Sequence, residues 1–451
     1  GSAPSPLAPP SPPLGDGALD ALTRALESLA LNPVDEATFD LRLPRGPARA
    51  RVYEPRGRAS PPALVLAHGV HRLGIDEPRL VALARSFSAA GLRVLTPELS
   101  NLADYHIDRA DADTIGEASL AFAPWCARQK VGFVGVSFAG SLGLLAALDP
   151  RYERAFAFVG TVGSYYDLAQ TLRFLATNEA RGPDGHDPRL TAHDYGALVL
   201  AYDHADEFFA PGDREPARRA LRLRLHERHD ESLAAAESPD LSPDAASTLR
   251  RLFKGWDEPL RRRFLEAIEH NRDQLDALSP RERLRDLGPM AFLLHSADDN
   301  VIPPTETEWL ARALPPEKRG AVLLSRAMAH ANLKGGAAAE RWALVEWMAA
   351  LLDAGAREPR VSDLDRPFLF GPRTGAVRRP RVHSGATAPP IPGRIQSGWD
   401  CDGVGARRRA PTRRPVRPRR RRLKCAADRP AARLRTGLRY AWRGTCPARS
   451  E

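Results

Sequence analysis

Three residues of this chain have the types and the order that nucleophilic catalysis needs: Ser137, Asp299 and His330. A serine hydroxyl is a weak nucleophile. It needs a general base within hydrogen-bond reach, and that base must be oriented by a carboxylate. Ser137 closes the run Lys130-Val131-Gly132-Phe133-Val134-Gly135-Val136-Ser137 and is followed by Phe138-Ala139-Gly140. The apolar run reads as a buried parallel strand, and the helix-like Ser141 to Leu148 follows at once. Gly135, Ala139 and Gly140 fence a sharp strand-to-helix turn, which lifts Ser137 Oγ clear of the sheet. Asp299 follows the apolar run Met290 to His295, and His330 follows Ala321 to Leu324. All three therefore fall at carboxyl ends of strands, the edge where open α/β sheets hold their ligands. Two backbone N–H groups must face the charge that develops on an attacked carbonyl. The expected donors are Phe138, directly after the serine, and Val70, following His68-Gly69. Asp298 is a near rival for the acid, and Asp167 a more distant one.

The elements that must position these residues are legible as alternating apolar strands and helical stretches. The strands are Ala63 to Ala67, Leu92 to Thr96, Val131 to Val136, Ala155 to Val159, Met290 to His295 and Ala321 to Leu324. Helical spacing runs over Ala18 to Leu31, Glu77 to Ala90, Thr114 to Ala121, Thr305 to Leu314 and Gly336 to Leu352. A hairpin, Thr38 to Leu43 and Ala48 to Tyr53 around Pro44-Arg45-Gly46-Pro47, follows the first of these helices and precedes the strands. Alternation of this kind predicts an α/β fold: a mostly parallel central sheet with helices on both faces. The segment 165–287 is far too long for an ordinary crossover. It carries helix starts at Ser242-Pro243 and at Ser279-Pro280, the latter before Arg281 to Leu287. It is expected to be a helical cap or lid inserted into the core formed by 16–164 and 288–355. Residues 1–15 and 356–451, rich in Pro, Ser, Ala and Arg, are expected to be disordered.

Together these segments resemble the α/β-hydrolase family over about Phe39 to Leu352. The matching residues are His68-Gly69, Gly135-Val136-Ser137-Phe138-Ala139-Gly140, Asp299-Asn300-Val301-Ile302-Pro303 and His330. In that family the aspartate is followed by two residues, an aliphatic one and a proline. Asp299 fits that spacing and Asp298 misses it by one. Alanine stands at 139 where the family has the last glycine of its serine motif, and some relatives place the acid near Asp167. The resemblance implies an acyl-enzyme mechanism and identifies no substrate; hydrolysis of a small-molecule carboxylic ester is the default expectation, with no metal or organic cofactor implied. The same triad serves peptidases, thioesterases and acyltransferases. A dehalogenase or epoxide hydrolase would carry aspartate at 137. A member that keeps the fold as a binding protein without turnover is the rival from another class.

Composition bounds the remaining possibilities. The 451 residues carry a formal charge of +10, but residues 361–451 alone account for +17 and the rest of the chain for −7. That Arg/Pro-rich tail has few aromatics, so it is a poor single-strand nucleic-acid surface. With 61 arginines and 5 lysines, the chain has the composition of a GC-rich, bacterial coding sequence, and out-of-frame reading would also give such a tail. Four cysteines make no disulfide framework, and no apolar run approaches the ~20 residues of a membrane span. The chain begins at Gly1, so the compartment is left open: cytoplasmic, or exported if a targeting segment has been removed. Oligomeric state is likewise not legible. His226 and His229 are read as a solvated helix face rather than a metal site, and His295 as structural. Tyr165, Tyr166, Phe208 and Phe209 are candidates for contact with an acyl chain or for packing within the insertion.

Overall fold

A computed structural model of the chain describes residues 22–23, 26, 32–57, 60–125, 129–255, 257–326, 337–356 and 369–370. The strands are β1 (Val34–Leu43), β2 (Gly46–Pro55), β3 (Ala63–Ala67), β4 (Arg93–Pro97), β5 (Val131–Val136), β6 (Phe156–Val162), β7 (Met290–Ser296), β8 (Arg319–Ser325) and β9 (Leu369–Phe370). They form one sheet in the order β1-β2-β4-β3-β5-β6-β7-β8-β9. β2 runs antiparallel to both its neighbours, and every pair from β4-β3 onward is parallel.

The hairpin turns tightly at Pro44-Arg45, with Leu43 opposite Gly46. Gly46 has φ +125°, a conformation that costs a glycine little. Both strands extend beyond the expected alternation because they pair with each other over their whole length, from Val34 opposite Pro55 to Leu43 opposite Gly46. β6 likewise reaches Val162 rather than Val159, since its last residues pair with Val136 and Leu294.

Period-two alternation sends successive residues of each central strand to opposite cores. In β5, Val131 and Phe133 join one cluster while Val134 and Val136 join the other. The first face is covered by α2 (Ser100–Ala103), α3 (Arg109–Phe122) and α4 (Phe138–Ala147). The second is covered by α1 (Pro78–Ala89) and by Leu344, Trp347 and Leu351 of α14 (Ala337–Ala356). Leu22 and Leu26, helical as expected, are buried against that second face. Burying both faces explains why β3 and β5 are apolar throughout rather than alternating.

Between β6 and β7 the elements among the described residues are helical: α5 (Leu168–Thr177), α6 (Asp194–Asp203), α7 (Ala205–Phe208), α8 (Arg214–Leu225), α9 (His229–Ala236), α10 (Pro243–Lys254), α11 (Glu258–His270) and α12 (Arg272–Ala277). Ser242 caps α10 as its sequence signal indicates, accepting from Ala245 N–H at 3.2 Å. The other expected start is corrected. Arg281–Asp286 is a 3-10 helix, and Ser279 does not cap it. Ser279 Oγ instead accepts from Leu168 N–H at 2.9 Å and donates to Leu275 O at 2.7 Å. Tyr165 Oη donates to Leu278 O at 2.9 Å, so the entry and exit of the helical segment are stitched together. α13 (Thr305–Ala313) then lies between β7 and β8.

Candidate active site

Ser137 sits at the tip of β5 with φ +55° and ψ −130°, a strained backbone for a residue with a side chain. Two close approaches enforce the turn. A Cβ on Gly135 would lie 2.6 Å from the backbone of Gly140, and one on Gly140 would lie 2.0 Å from Ser164 Oγ. Glycine is thus required at 135 and 140, while 139 needs only a small buried residue, which explains Ala139. The turn is pinned from both sides: Ser137 N–H donates to Val162 O at 2.7 Å, and Ser164 Oγ donates to Ser137 O at 2.8 Å. Strain of this kind persists only where the surroundings over-determine it.

The loop after β3 presses against the serine. A Cβ on Gly69 would stand 3.1 Å from Ser137 Cβ and 3.3 Å from Val136 O. His68 holds that loop: Nε2 accepts from Leu99 N–H at 2.9 Å, and Nδ1 donates to Gly69 O at 2.8 Å. The bond that Nε2 accepts needs the neutral ring, and full burial pushes its pKa down to about 4. Val70 is half-buried. Neither Val70 N–H nor Phe138 N–H has a backbone acceptor among the described residues; Phe138 opens α4, where helix geometry supplies none.

Asp299 is buried beyond the end of β7. Its Oδ1 accepts from Val301 N–H at 2.9 Å and Ile302 N–H at 3.1 Å. Its Oδ2 lies 3.6 Å from Nε2 of His295, but that ring is committed elsewhere. His295 Nε2 donates to Ile302 O at 2.9 Å, and its Nδ1 accepts from Thr307 Oγ1 at 2.7 Å. His295 is therefore structural, and Asp299 Oδ2 is left facing Gly163 at the end of β6, where a Cβ would be 3.2 Å away. Asp167 is employed differently: Oδ1 caps α5 through Gln170 N–H at 3.2 Å, and Oδ2 lies 3.2 Å from Arg281. Asp298 is half-buried, with no hydrogen-bond or ion-pair partner among the described residues. His330 lies outside the described residues. β8 ends at Ser325, whose carbonyl accepts from Ala297 N–H at 3.0 Å.

Three contributors were not singled out by sequence: Gly163, Ser164 and Glu306. The only signal for the first two is a Gly-Ser pair straight after a strand. Gly163 has φ +66°. Glu306, on α13, is fully buried and accepts from Tyr166 N–H at 2.8 Å, Asp167 N–H at 2.9 Å and Gln170 Nε2 at 2.8 Å. It fastens the start of the helical segment to the core. Burial raises its pKa to about 7, the donors notwithstanding. The unfolded chain ionises Glu306 near its ordinary 4.5, so the folded state binds the extra proton between those values. Stability then falls as pH rises through that window, by about 3 kcal/mol when complete. Glu306→Gln keeps the oxygen that serves both N–H groups, and Gln170 can turn its amide to match. Urea melts of the variant from pH 5 to 8 are expected to lose this decline, whereas the parent shows it.

The remaining sequence candidates are placed as follows. Tyr165, Phe208 and Phe209 are buried packing residues, and Phe208 stacks on Phe264 at 6.4 Å. Tyr166 stacks on Trp309 at 5.9 Å. His229 Nδ1 accepts from Arg224 at 2.8 Å, and His226 borders an open cleft. Among the described residues the one grouping with metal-ligand chemistry is Asp184, His186 and Glu308, where the exposed imidazole bridges two carboxylates. No helix among the described residues is long and apolar enough to cross a membrane.

A mostly parallel sheet in this strand order, with a strained serine between β5 and α4 and helices on both faces, is the architecture that the resemblance to α/β-hydrolases implies. Solved structures that resemble the chain include brefeldin A esterase, described as a bacterial homologue of human hormone sensitive lipase. It is 16% identical, the match covers 78% of this chain and 86% of that one, and the TM-score is 0.37. The 2-hydroxy-6-oxo-6-phenylhexa-2,4-dienoate hydrolase from Rhodococcus sp. strain RHA1 is 20% identical over 72% of this chain and 99% of its own, with a TM-score of 0.37. For the acylaminoacyl peptidase of Pyrococcus horikoshii the values are 12%, 74% and 0.41, and the chain spans 43% of that protein. No family model and no curated protein matches the sequence.

Proposed function

We propose that the chain is a serine hydrolase acting on carboxylic esters of small molecules through Ser137, His330 and Asp299. The observation that carries this reading is the strained Ser137 turn, with the uncommitted N–H groups of Phe138 and Val70 beside it. His330 takes the Ser137 proton as Oγ attacks the acyl carbon. The oxyanion is stabilised by the two N–H groups, and Asp299 Oδ2 orients the imidazole and stabilises its charged form. His330 returns the proton to the leaving alcohol. Water, activated by the same imidazole, then releases the acid and frees the serine. The helices between β6 and β7 act as a lid that shapes the acyl pocket, with Glu306 anchoring its first turn. No metal or organic cofactor enters this scheme.

A 4-nitrophenyl ester series of increasing acyl length, run on wild type and Ser137→Ala, tests the reading. A fluorophosphonate probe should label the wild type at Ser137 and leave the variant unlabelled. Absence of both labelling and turnover would make the chain a binding protein on a hydrolase fold.

The approach of Gly69 to Ser137 adds a second expected result. The Cβ of Gly69→Ala must push the loop back by a few tenths of an ångström, and a valine further. Displacing an oxyanion donor costs on the order of 10- to 100-fold in kcat. Ester kinetics of Gly69→Ala and Gly69→Val should show a graded fall in kcat, with the melting temperature changing less than proportionately.

A further inference from the structure

The helix α6 is fastened to the core at both ends. At its start His193 N–H donates to Asn300 O at 2.8 Å, while His193 Nδ1 caps the helix by accepting from Tyr195 N–H at 3.0 Å. Asn300 stands between Asp299 and Val301, whose N–H is bound by Asp299 Oδ1. The cap of α6 thus bears on the loop that carries the candidate acid. At the far end Asp203 meets the turn between α2 and α3. Its Oδ1 pairs with His106 Nδ1, and its Oδ2 accepts from Ile107 N–H at 3.4 Å. Between the two attachments Val199, Leu200 and Ala201 are buried in the core. The ten helical residues span about 15 Å.

The turn at the far end is firmly held. Tyr105 is buried with φ +63°, a strained backbone for a tyrosine, and its Oη donates to Leu225 O at 3.3 Å. The His106 ring lies 5.1 Å from that of Tyr202. Charged groups reach His106 from three elements. Its own turn supplies Asp104, 3.8 Å from Nε2. α6 supplies Asp203, with His204 just beyond at 3.9 Å from Asp203 Oδ2. α8 supplies Arg218 and Arg222. Arg222 is taken up by Asp104 and by Tyr202 Oη, both at 2.8 Å, and Arg218 lies 3.2 Å from Glu215. Among the described residues Asp203 has no arginine or lysine ion-pair partner, and His106 is the imidazole in contact with it. The bond to Asp203 raises the pKa of His106 above its ordinary 6.5, against burial and the Arg218 charge. The charged pair is therefore complete below pH 6.5 and is lost as pH rises through the folded value.

We propose that α6 is a strap whose His106–Asp203 clasp keeps the Asp299 loop in place, tight when His106 is charged and loose when it is neutral. The inference rests on the serine-hydrolase reading above. His106 and Asp203 are positioning residues that act through the loop rather than on the substrate. Neutral His106 leaves Asp203 half-buried with one long backbone bond and no cation in contact, which favours release of that helix end. A stiff helix passes the movement to its other end, where His193 holds Asn300.

Hydrogen exchange of the full chain, read by mass spectrometry from about pH 5.5 to 8.5 and corrected for the intrinsic rate at each pH, tests the clasp. The reference is His106→Asn, which keeps a donor at the place of Nδ1 but carries no charge. Protection over 190–199 and over 200–208 should both be about three- to fivefold higher in wild type at the acid end, as one half-exposed charge pair allows, and equal at the alkaline end. The comparison removes the decline due to Glu306, which both proteins share. Asp203→Asn should match His106→Asn. The ratio of wild-type to His106→Asn kcat on 4-nitrophenyl esters should follow the same course, with KM unchanged. A difference in protection confined to 200–208, or a kcat ratio flat with pH in an active enzyme, overturns the proposal. Exchange that depends on His106 at both ends of α6, with no ester hydrolysed by wild type, upholds the strap and rejects the hydrolase. Hydrolysis by wild type, with exchange that His106→Asn leaves unaltered at every pH, does the reverse.

Discussion

Ser137→Ala is expected to lower kcat on 4-nitrophenyl esters by about 10⁴- to 10⁶-fold while leaving the fold intact. The turn does not depend on the hydroxyl. It is set by Ser137 N–H donating to Val162 O, by Ser164 Oγ donating to Ser137 O, and by the contact of Gly135 with Gly140. Alanine keeps every one of these and removes only the nucleophile. A far-ultraviolet spectrum and melting temperature close to wild type, with turnover lost, is the expected pair of results. Residual turnover within tenfold of wild type would place the nucleophile elsewhere. A large drop in melting temperature would mean that Oγ supports the turn in a way its backbone contacts do not explain.

Asp299→Asn should cost about 10³- to 10⁴-fold in kcat with little change in stability. The variant keeps an oxygen for Val301 N–H and Ile302 N–H, so the loop stays closed. What changes is the atom facing Gly163: an amide N–H₂ replaces a carboxylate oxygen, and it favours the wrong tautomer of an imidazole base. Two controls separate the rivals. Asp298→Asn is expected to stay within severalfold of wild type, since that half-buried side chain holds none of the loop's backbone donors. Asp167→Asn is expected to act on stability instead, by about 1–2 kcal/mol, because Asp167 caps α5 and pairs with Arg281. Steady-state kinetics together with urea melts on the three variants decide the acid. If Asp298→Asn shows the large kcat loss, the assignment passes to Asp298.

Much of the scaffold was readable because its signals are local. Buried parallel strands are apolar along their whole length, so β3 and β5 were delimited to the residue. Strand ends that depend on a partner were not: β6 runs on to Val162 because Val136 and Leu294 lie beside it. The helical character of the segment between β6 and β7 was legible from caps and prolines. Its attachment was not, since Ser279 looks like a helix cap and acts as a clasp between Leu168 and Leu275. Glu306 gave no signal at all. In sequence it is an ordinary acidic residue in the first turn of a helix, and only the approach of the Tyr166–Gln170 backbone makes it an anchor.

By itself the sequence determined the order and spacing of the chemistry: a serine fenced by small residues after one strand, an acid after a later strand, and a histidine after the next. It did so because a nucleophile turn tolerates few residue types and strand ends are punctuated locally. Only the tertiary structure showed Asp167 employed as the cap of α5, and brought Gly69 against Ser137 and Gly163 against Asp299. The two close approaches join residues far apart in the chain. They depend on strand order and on the packing of the helical segment, which no local pattern encodes.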